Sequence, residues 1–401
     1  MSSAYVFYSS LKSVKTSSTA SGPYKSVIPL PNYQVFFAFA DGHWVLFDCL
    51  ADKAIKEGVI KGDASKHLTL FRSPKALDEK TILYANSSLF KLQALNPFTG
   101  EHDSKWEFDA PTFEGLPEAD RTNDQKVDRA YVGLEIQVLK KSRVAGILER
   151  KENSQGFFDF LISAYQEGKT GRLLQLSHNT QGKPMKFASG NDEDTFIFYP
   201  TTQYENFQIY VLDINQKDKG LQSVTINTKM ECTLFNLYPW SDNSIVLYGN
   251  PDEGGTPYQV TFKLGSDKID IEKMNCNRYG KPTLLSSVLS ADPTKKRVLL
   301  KESNADHGCS VAVWNSGMNK VEFAREQPTT KDAVSSYDGT YFVEFDGSFK
   351  GDKESVKFTV NRLVSKKMFL LHFMKHAKLN DKPLIEIHGK IDVLRDVASM
   401  F

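Results

Sequence analysis

Cysteine is scarce: four residues in 401, Cys49, Cys232, Cys276 and Cys309, all far apart. They form no CxxC or Cys/His spacing, which disfavours a zinc site and suits a reduced compartment. Long apolar runs are missing too. None approaches the roughly 18 residues of a membrane span, and the N-terminus lacks the apolar block of a secretory signal. A soluble protein is expected, in the cytoplasm with the nucleus as the alternative. Neither sign of charge prevails, with 50 Lys plus Arg against 49 Asp plus Glu, so the whole chain offers no field to attract nucleic acid or anionic lipid. Helical periodicity is nearly absent from residues 30 to 370, which excludes an α/β alternation. GxSxG, HExxH, GxxxxGK[ST] and the dinucleotide fingerprint are all absent. The expectation is a protein without catalysis, cofactor or metal.

What is present is a repeat. Alternating strand-like runs can be anchored at Phe36, Leu83, Ala145, Phe196, Ile245, Val298 and Tyr341, at intervals of 47, 62, 51, 49, 53 and 43 residues. These lie near the roughly 40 to 50 residues of a four-stranded propeller blade. Each copy continues through a polar turn into a second alternating strand, such as "HWVLFDCL", "NFQIYVLDI" or "CSVAVWNS". A third, shorter run often follows, as in "QSVTIN" and "KVEFAR". Radial repetition lets each small sheet bury both faces against its neighbours and leaves only short edges.

The stretch 290–324, "SADPTKKRVLLKESNADHGCSVAVWNSGMNKVEFA", resembles a WD40-type blade, with a Ser-x-Asp turn and a strand closing on Trp314-Asn315. Phe47-Asp48 and Leu212-Asp213 stand in the place of the Trp-Asp pair in their copies, whereas the family's Gly-His before a blade is missing. The resemblance implies an all-β fold, a seven-bladed β-propeller over residues 1–373, with a C-terminal extension at 374–401. The strand at 4–8 is expected to close the ring by pairing near 366–373. A Ser-rich, basic N-terminus is also compatible with a transit peptide, but it contains no Arg and alternates like a strand.

Three segments are candidates for contacting partners. An insertion at 109–128 lies in a stretch, 101–128, with nine acids against three bases, and could present Phe113 and Leu116. The segment 350–382 holds nine bases, Lys366, Lys367 and Lys375 among them, against three acids. Such a stripe can neutralise phosphates, although Lys also blunts exposed strand edges. The tail places Leu394, Val397 and Phe401 on one helical stripe. His372 and His376, four residues apart, lack an evident third ligand, so no metal is assigned. The function expected is that of a protein–protein interaction scaffold or subunit of a multiprotein complex. The alternatives are a propeller enzyme with a polar site at the central channel, or an RNA- or phosphate-contacting subunit. The partners expected are other proteins, with no membrane.

Overall fold

The computed structural model describes residues 5–15, 25–39, 41–60, 62, 71–86, 88–109, 134–152, 158–179, 185–189, 194–200, 206–227, 232–239, 244–251, 257–263, 268–274, 284–292, 297–304, 308–315, 317–324, 332–336, 341–345, 355–365, 378–379 and 382–383. Strand β1 (Tyr5–Lys15) comes first in the chain. The first sheet follows as β2 (Lys25–Leu30), β3 (Gln34–Phe39), β4 (His43–Asp48) and β5 (Lys53–Val59). The second is β6 (Arg72–Asp78), β7 (Thr81–Asn86), β8 (Lys91–Leu95) and β9 (Phe108–Asp109). The third is β10 (Glu135–Leu139), β11 (Val144–Glu152), β12 (Phe158–Gln166) and β13 (Leu174–Asn179). The fourth is β14 (Met185–Ser189), β15 (Thr195–Pro200), β16 (Asn206–Asp213) and β17 (Gln222–Asn227). The fifth is β18 (Cys232–Pro239), β19 (Ser244–Pro251), β20 (Tyr258–Lys263) and β21 (Ile269–Lys273). The sixth is β22 (Leu284–Asp292), β23 (Arg297–Asn304), β24 (Gly308–Asn315) and β25 (Lys320–Ala324). The last contains β26 (Asp332–Ser335), β27 (Tyr341–Phe345) and β28 (Ser355–Ser365), with β1 as its fourth strand. A two-residue-per-strand hairpin, β29 (Lys378–Leu379) with β30 (Lys382–Pro383), follows these sheets in sequence.

Among the described strands every pairing is antiparallel, and all but β1 on β28 join neighbours in sequence. The first strands of successive sheets touch in the order β2, β6, β10, β14, β18, β22, β26 and back to β2. They therefore surround a common axis in a β-propeller arrangement. Two side chains tie them together. Ser73 Oγ on β6 accepts from the Ile136 amide at 3.0 Å, and Gln137 Nε2 on β10 donates to the Phe187 carbonyl at 2.9 Å.

The core is not one mass but a series of layers between adjacent sheets. Alternate residues of a strand face opposite neighbours. Ile82 and Tyr84 of β7 pack with Phe36, Trp44 and Leu46 of the first sheet. Leu83 and Ala85, one step along, pack with Ile136 and Ile147 of the third. Covered on both faces, β7 is buried at all six residues, as is β15. This is why their sequences, "TILYAN" and "TFIFYP", read as nearly unbroken apolar runs.

The last sheet joins the first through a dense aromatic layer. Phe358 lies 4.9 Å from Phe37 and 5.4 Å from Phe47 between ring centroids. The Tyr341 hydroxyl donates to Leu30 O at 2.6 Å and also lies against Gln34 O. The Arg362 guanidinium sits 5.3 Å above the Tyr33 ring. Strand β1 runs over Tyr5–Lys15 and its register is Tyr5↔Ser365 to Lys15↔Ser355. The sequence reading placed the partner near 366–373, whereas the described ladder begins at Ser365 and runs back to Ser355 along the alternating "SVKFTVNRLVS"; residues 366–373 lie outside the described residues.

Candidate functional site

Consecutive strands of each sheet run antiparallel, so the turns after the first and third strands share one face of the ring. On this face the third strands end in a recurrent device. Asp48 Oδ1 accepts from the amides of Leu50 and Ala51 at 2.8 and 2.9 Å. Asn96 Oδ1 accepts from Phe98 and Thr99 at 2.9 and 3.3 Å. Asp213 caps Asn215 at 2.9 Å, and Asn315 caps Met318 at 3.0 Å. A short side chain with an acceptor is required to satisfy the turn amides. Asp48, Asp213 and Asn315 are the second members of the Phe-Asp, Leu-Asp and Trp-Asn pairs noted in the sequence; Asn96, after Leu95, is a fourth that was missed. The turns so fixed expose apolar residues, with Leu50 57% and Met318 53% accessible.

Between the second and third sheets this face opens into a cleft of about 520 Å³. Its walls are Asp78 to Thr81 from the β6–β7 turn, Asn96, Thr99 and Glu101 to Asp103 from the β8–β9 connection, and Arg143 from the β10–β11 turn. Arg143 Nη1 meets Asp78 Oδ2 at 2.7 Å, and Arg143 Nε is paired with Glu167, which Lys105 approaches at 4.0 Å. Arg143 adopts φ 53°, in the left-handed region that L-residues avoid, as the last residue of the β10–β11 turn. Burial alone would raise the Asp78 pKa, but bonds from Arg143, the Lys80 amide and Thr81 outweigh it and hold the carboxyl below its usual range.

A polar chain, buried at Tyr84, Asn86 and Gln93, reaches the cleft wall at His102. The Tyr84 hydroxyl lies 3.3 Å from Gln93 Oε1 and 3.2 Å from His102 Nδ1, and Asn86 Nδ2 donates to the same Gln93 oxygen at 3.0 Å. A hydroxyl has one proton to give. Donated to Gln93, it leaves Tyr84 to accept from His102 Nδ1–H, and Nε2 then carries the lone pair. Desolvation pushes the Tyr84 pKa up, so the phenol stays neutral.

Removing Arg143 gives a direct check on this geometry. In Arg143→Ala the Asp78 pKa rises toward the ordinary carboxylate value, measured by NMR titration. The sign follows from linkage. A folded-state pKa below the unfolded one adds stability above the unfolded value, and that stability is lost as pH falls through the folded value. The variant therefore loses its difference from the parent in acid and shows it near neutrality. Both side chains of the Arg143–Asp78 pair are 37% exposed, which limits the part of the effect that titrates with Asp78 to about 1 kcal/mol.

On the axis, Lys186 of β14 is half-buried near Glu135 of β10, whose Oε1 accepts from Gln137 Nε2 at 3.0 Å. Desolvation lowers the Lys186 pKa, partly opposed by Glu135. Cys49 is buried, and burial pushes its thiol up to about 12, so it stays protonated and unreactive. Phe113, Leu116, Lys366, Lys367, Lys375, Leu394, Val397 and Phe401, together with His372 and His376, lie outside the described residues. Of the basic segment, Lys357 is exposed on β28, and Arg362 is engaged with Tyr33. Among the described residues no group of three or more His, Cys, Asp or Glu is placed to hold a metal, and no helix is long and apolar enough to cross a membrane.

Ring and turn face together define a β-propeller protein. No family model matches the chain, and no curated protein matches its sequence. Solved structures do share its architecture. One of them, hydrazine synthase of Kuenenia stuttgartiensis, superposes with a TM-score of 0.53 at 9% identity, covering 85% of this chain and 94% of that one. At that identity the likeness concerns the fold.

Proposed function

We propose that this chain is a seven-bladed, WD40-like β-propeller that works without catalysis, as an interaction scaffold or a subunit of a multiprotein complex. The observation that carries the reading is the turn face. It combines a concave, mixed-charge cleft between the second and third sheets with apolar side chains exposed on the same face, Leu50 on the adjoining first sheet and Met318 further round the ring on the sixth. Aliphatic contacts exclude water while charges fix register and orientation, which is how protein partners are recognised. The WD40 likeness is supported by the Asp and Asn caps that close four third strands, and the blade number by the closed order of first strands. The cytoplasm is the proposed compartment, with the nucleus as the alternative.

The test is purification of the tagged full chain from its cells at moderate and high salt, beside a Glu79→Lys/Glu101→Lys variant. A stoichiometric complex with the parent, and at least a fivefold lower recovery with the variant, is the expected result. A chain that purifies alone under all conditions contradicts the scaffold reading. A second reading, an enzyme with its site on the axis, draws on the half-buried Lys186 beside Glu135. Conversion of a substrate that Lys186→Met abolishes, with folding intact, would favour it.

A further inference from the structure

The aromatic contacts that close the last sheet on the first come from β27 and β28 and do not involve β1. Phe358 and Tyr341 belong to β28 and β27, and their partners Phe37, Phe47, Tyr33 and Leu30 all lie in the first sheet or its first turn. Strand β1 is attached in another way, by a ladder to β28 that is continuous from Tyr5↔Ser365 to Lys15↔Ser355. Of its residues 10–14, Val14 is fully buried, whereas Leu11 is 69% exposed and Ser13 is also exposed. The Lys12–Asp52 pair at 3.3 Å has an exposed carboxylate, and such a pair contributes little. Beyond this ladder, the described side chains of β1 that reach the first sheet are Val14, in the apolar layer, and Lys12, against Asp52. The departure of β1 leaves three strands still clasped to the first sheet.

We propose that the β28 edge is an exchangeable strand-docking site whose second occupant is the β1 strand of another copy of this chain. The register argues for that occupant. A second copy offers the same residues along the whole ladder, with the same Val14 for the slot beside Val27, Val35 and Val45 and the same Lys12 for Asp52. Monomer and strand-exchanged dimer then contain the same contacts and differ mainly in chain entropy. In the monomer, the connection through 16–24 keeps β1 at an effective concentration of about millimolar. Exchange is accordingly favoured only when the protein or a competing strand reaches a similar concentration.

A fluorescent peptide with the sequence of Tyr5–Lys15, incubated at about millimolar concentration with the full chain, tests this. The expected result is incorporation of about one peptide per two chains, the occupancy at which free and tethered strands compete equally, falling at least tenfold when the peptide carries Val14→Asp. In a Leu11→Cys/Thr359→Cys chain, with the two sites paired in register, oxidation should block incorporation and reduction restore it. Equal incorporation into the oxidised and reduced forms places the peptide elsewhere and overturns the proposal. So does no incorporation into the parent chain. Hydrogen exchange of the unlabelled parent gives an independent measure. Amides of β1 should exchange well before those of β27, and equal protection of the two strands likewise overturns it.

Discussion

Phe358→Ala lowers the stability of the chain by about 3–5 kcal/mol in urea unfolding, the cost of removing a fully buried aromatic ring. Phe358 has no exposed surface and occupies the middle of the layer joining the last sheet to the first. It contacts Phe37 face-tilted and Phe47 edge-on, so truncation forfeits aromatic pairing as well as apolar burial. Strands β27 and β28 are covalently distant from β3 and β4, and the seam must be held by side chains. The loss should therefore appear as early exchange of amides in the first and last sheets, ahead of the third and fourth. Phe358→Leu, which refills most of the volume, should recover more than half of the difference. A loss below about 1 kcal/mol for the alanine variant would show that the seam does not depend on this ring.

The propeller arrangement was legible because of the same double burial. Strands β3, β7, β11, β15, β19, β23 and β27 contain the seven anchors, Phe36 to Tyr341. Where their burial is described throughout, in β3, β7, β15 and β27, nearly every residue is buried, and the apolar runs are correspondingly dense. The first strand of each sheet was not legible. "RSPKALD" of β6 holds a Pro and three charged residues, "DAVS" of β26 is four residues long, and β10 alternates Glu135 and Gln137 with Ile136 and Val138. These strands border the axis, where polar side chains are tolerated, so the hydrophobic pattern fades.

The cleft could not be read from sequence either. Its partners Asp78 and Arg143 are separated by 65 residues and meet because the second and third sheets stand side by side. No local spacing encodes that meeting. The Asp78-Glu79-Lys80 turn by itself reads as an ordinary solvated loop. The features that sequence did nominate, an acidic insertion, a basic stripe and a terminal apolar stripe, are all local in composition. Local composition shows where charge or apolar surface accumulates, whereas the turn face is assembled from residues of different repeats.

Between the third and fourth sheets two rings close over Gly146, and this makes Gly146→Val the second severe substitution. Gly146 on β11 is paired with Gln137 and with Ala164. A Cβ at 146 would stand 2.7 Å from Phe187 Cζ and 2.7 Å from Phe196 Cζ, closer than carbon atoms approach without bonding. Both rings are held by buried neighbours. Phe187 stacks on Phe198 at 4.7 Å and 7°, and both Phe187 and Phe196 are buried in the layer with Leu148, Phe160 and Ile162. Gly146→Ala is expected to cost about 1–3 kcal/mol, the range for forcing one extra carbon into a filled core, and Gly146→Val about 3 kcal/mol or more. Overpacking predicts a particular coupling. Phe187→Leu is destabilising in the parent chain, yet in the Gly146→Ala background it should recover at least about 1 kcal/mol relative to additivity, because the shorter side chain vacates the space the new methyl needs. Additive losses in this double-mutant cycle, measured by urea unfolding, would mean that the backbone and not the two rings absorbs the methyl group.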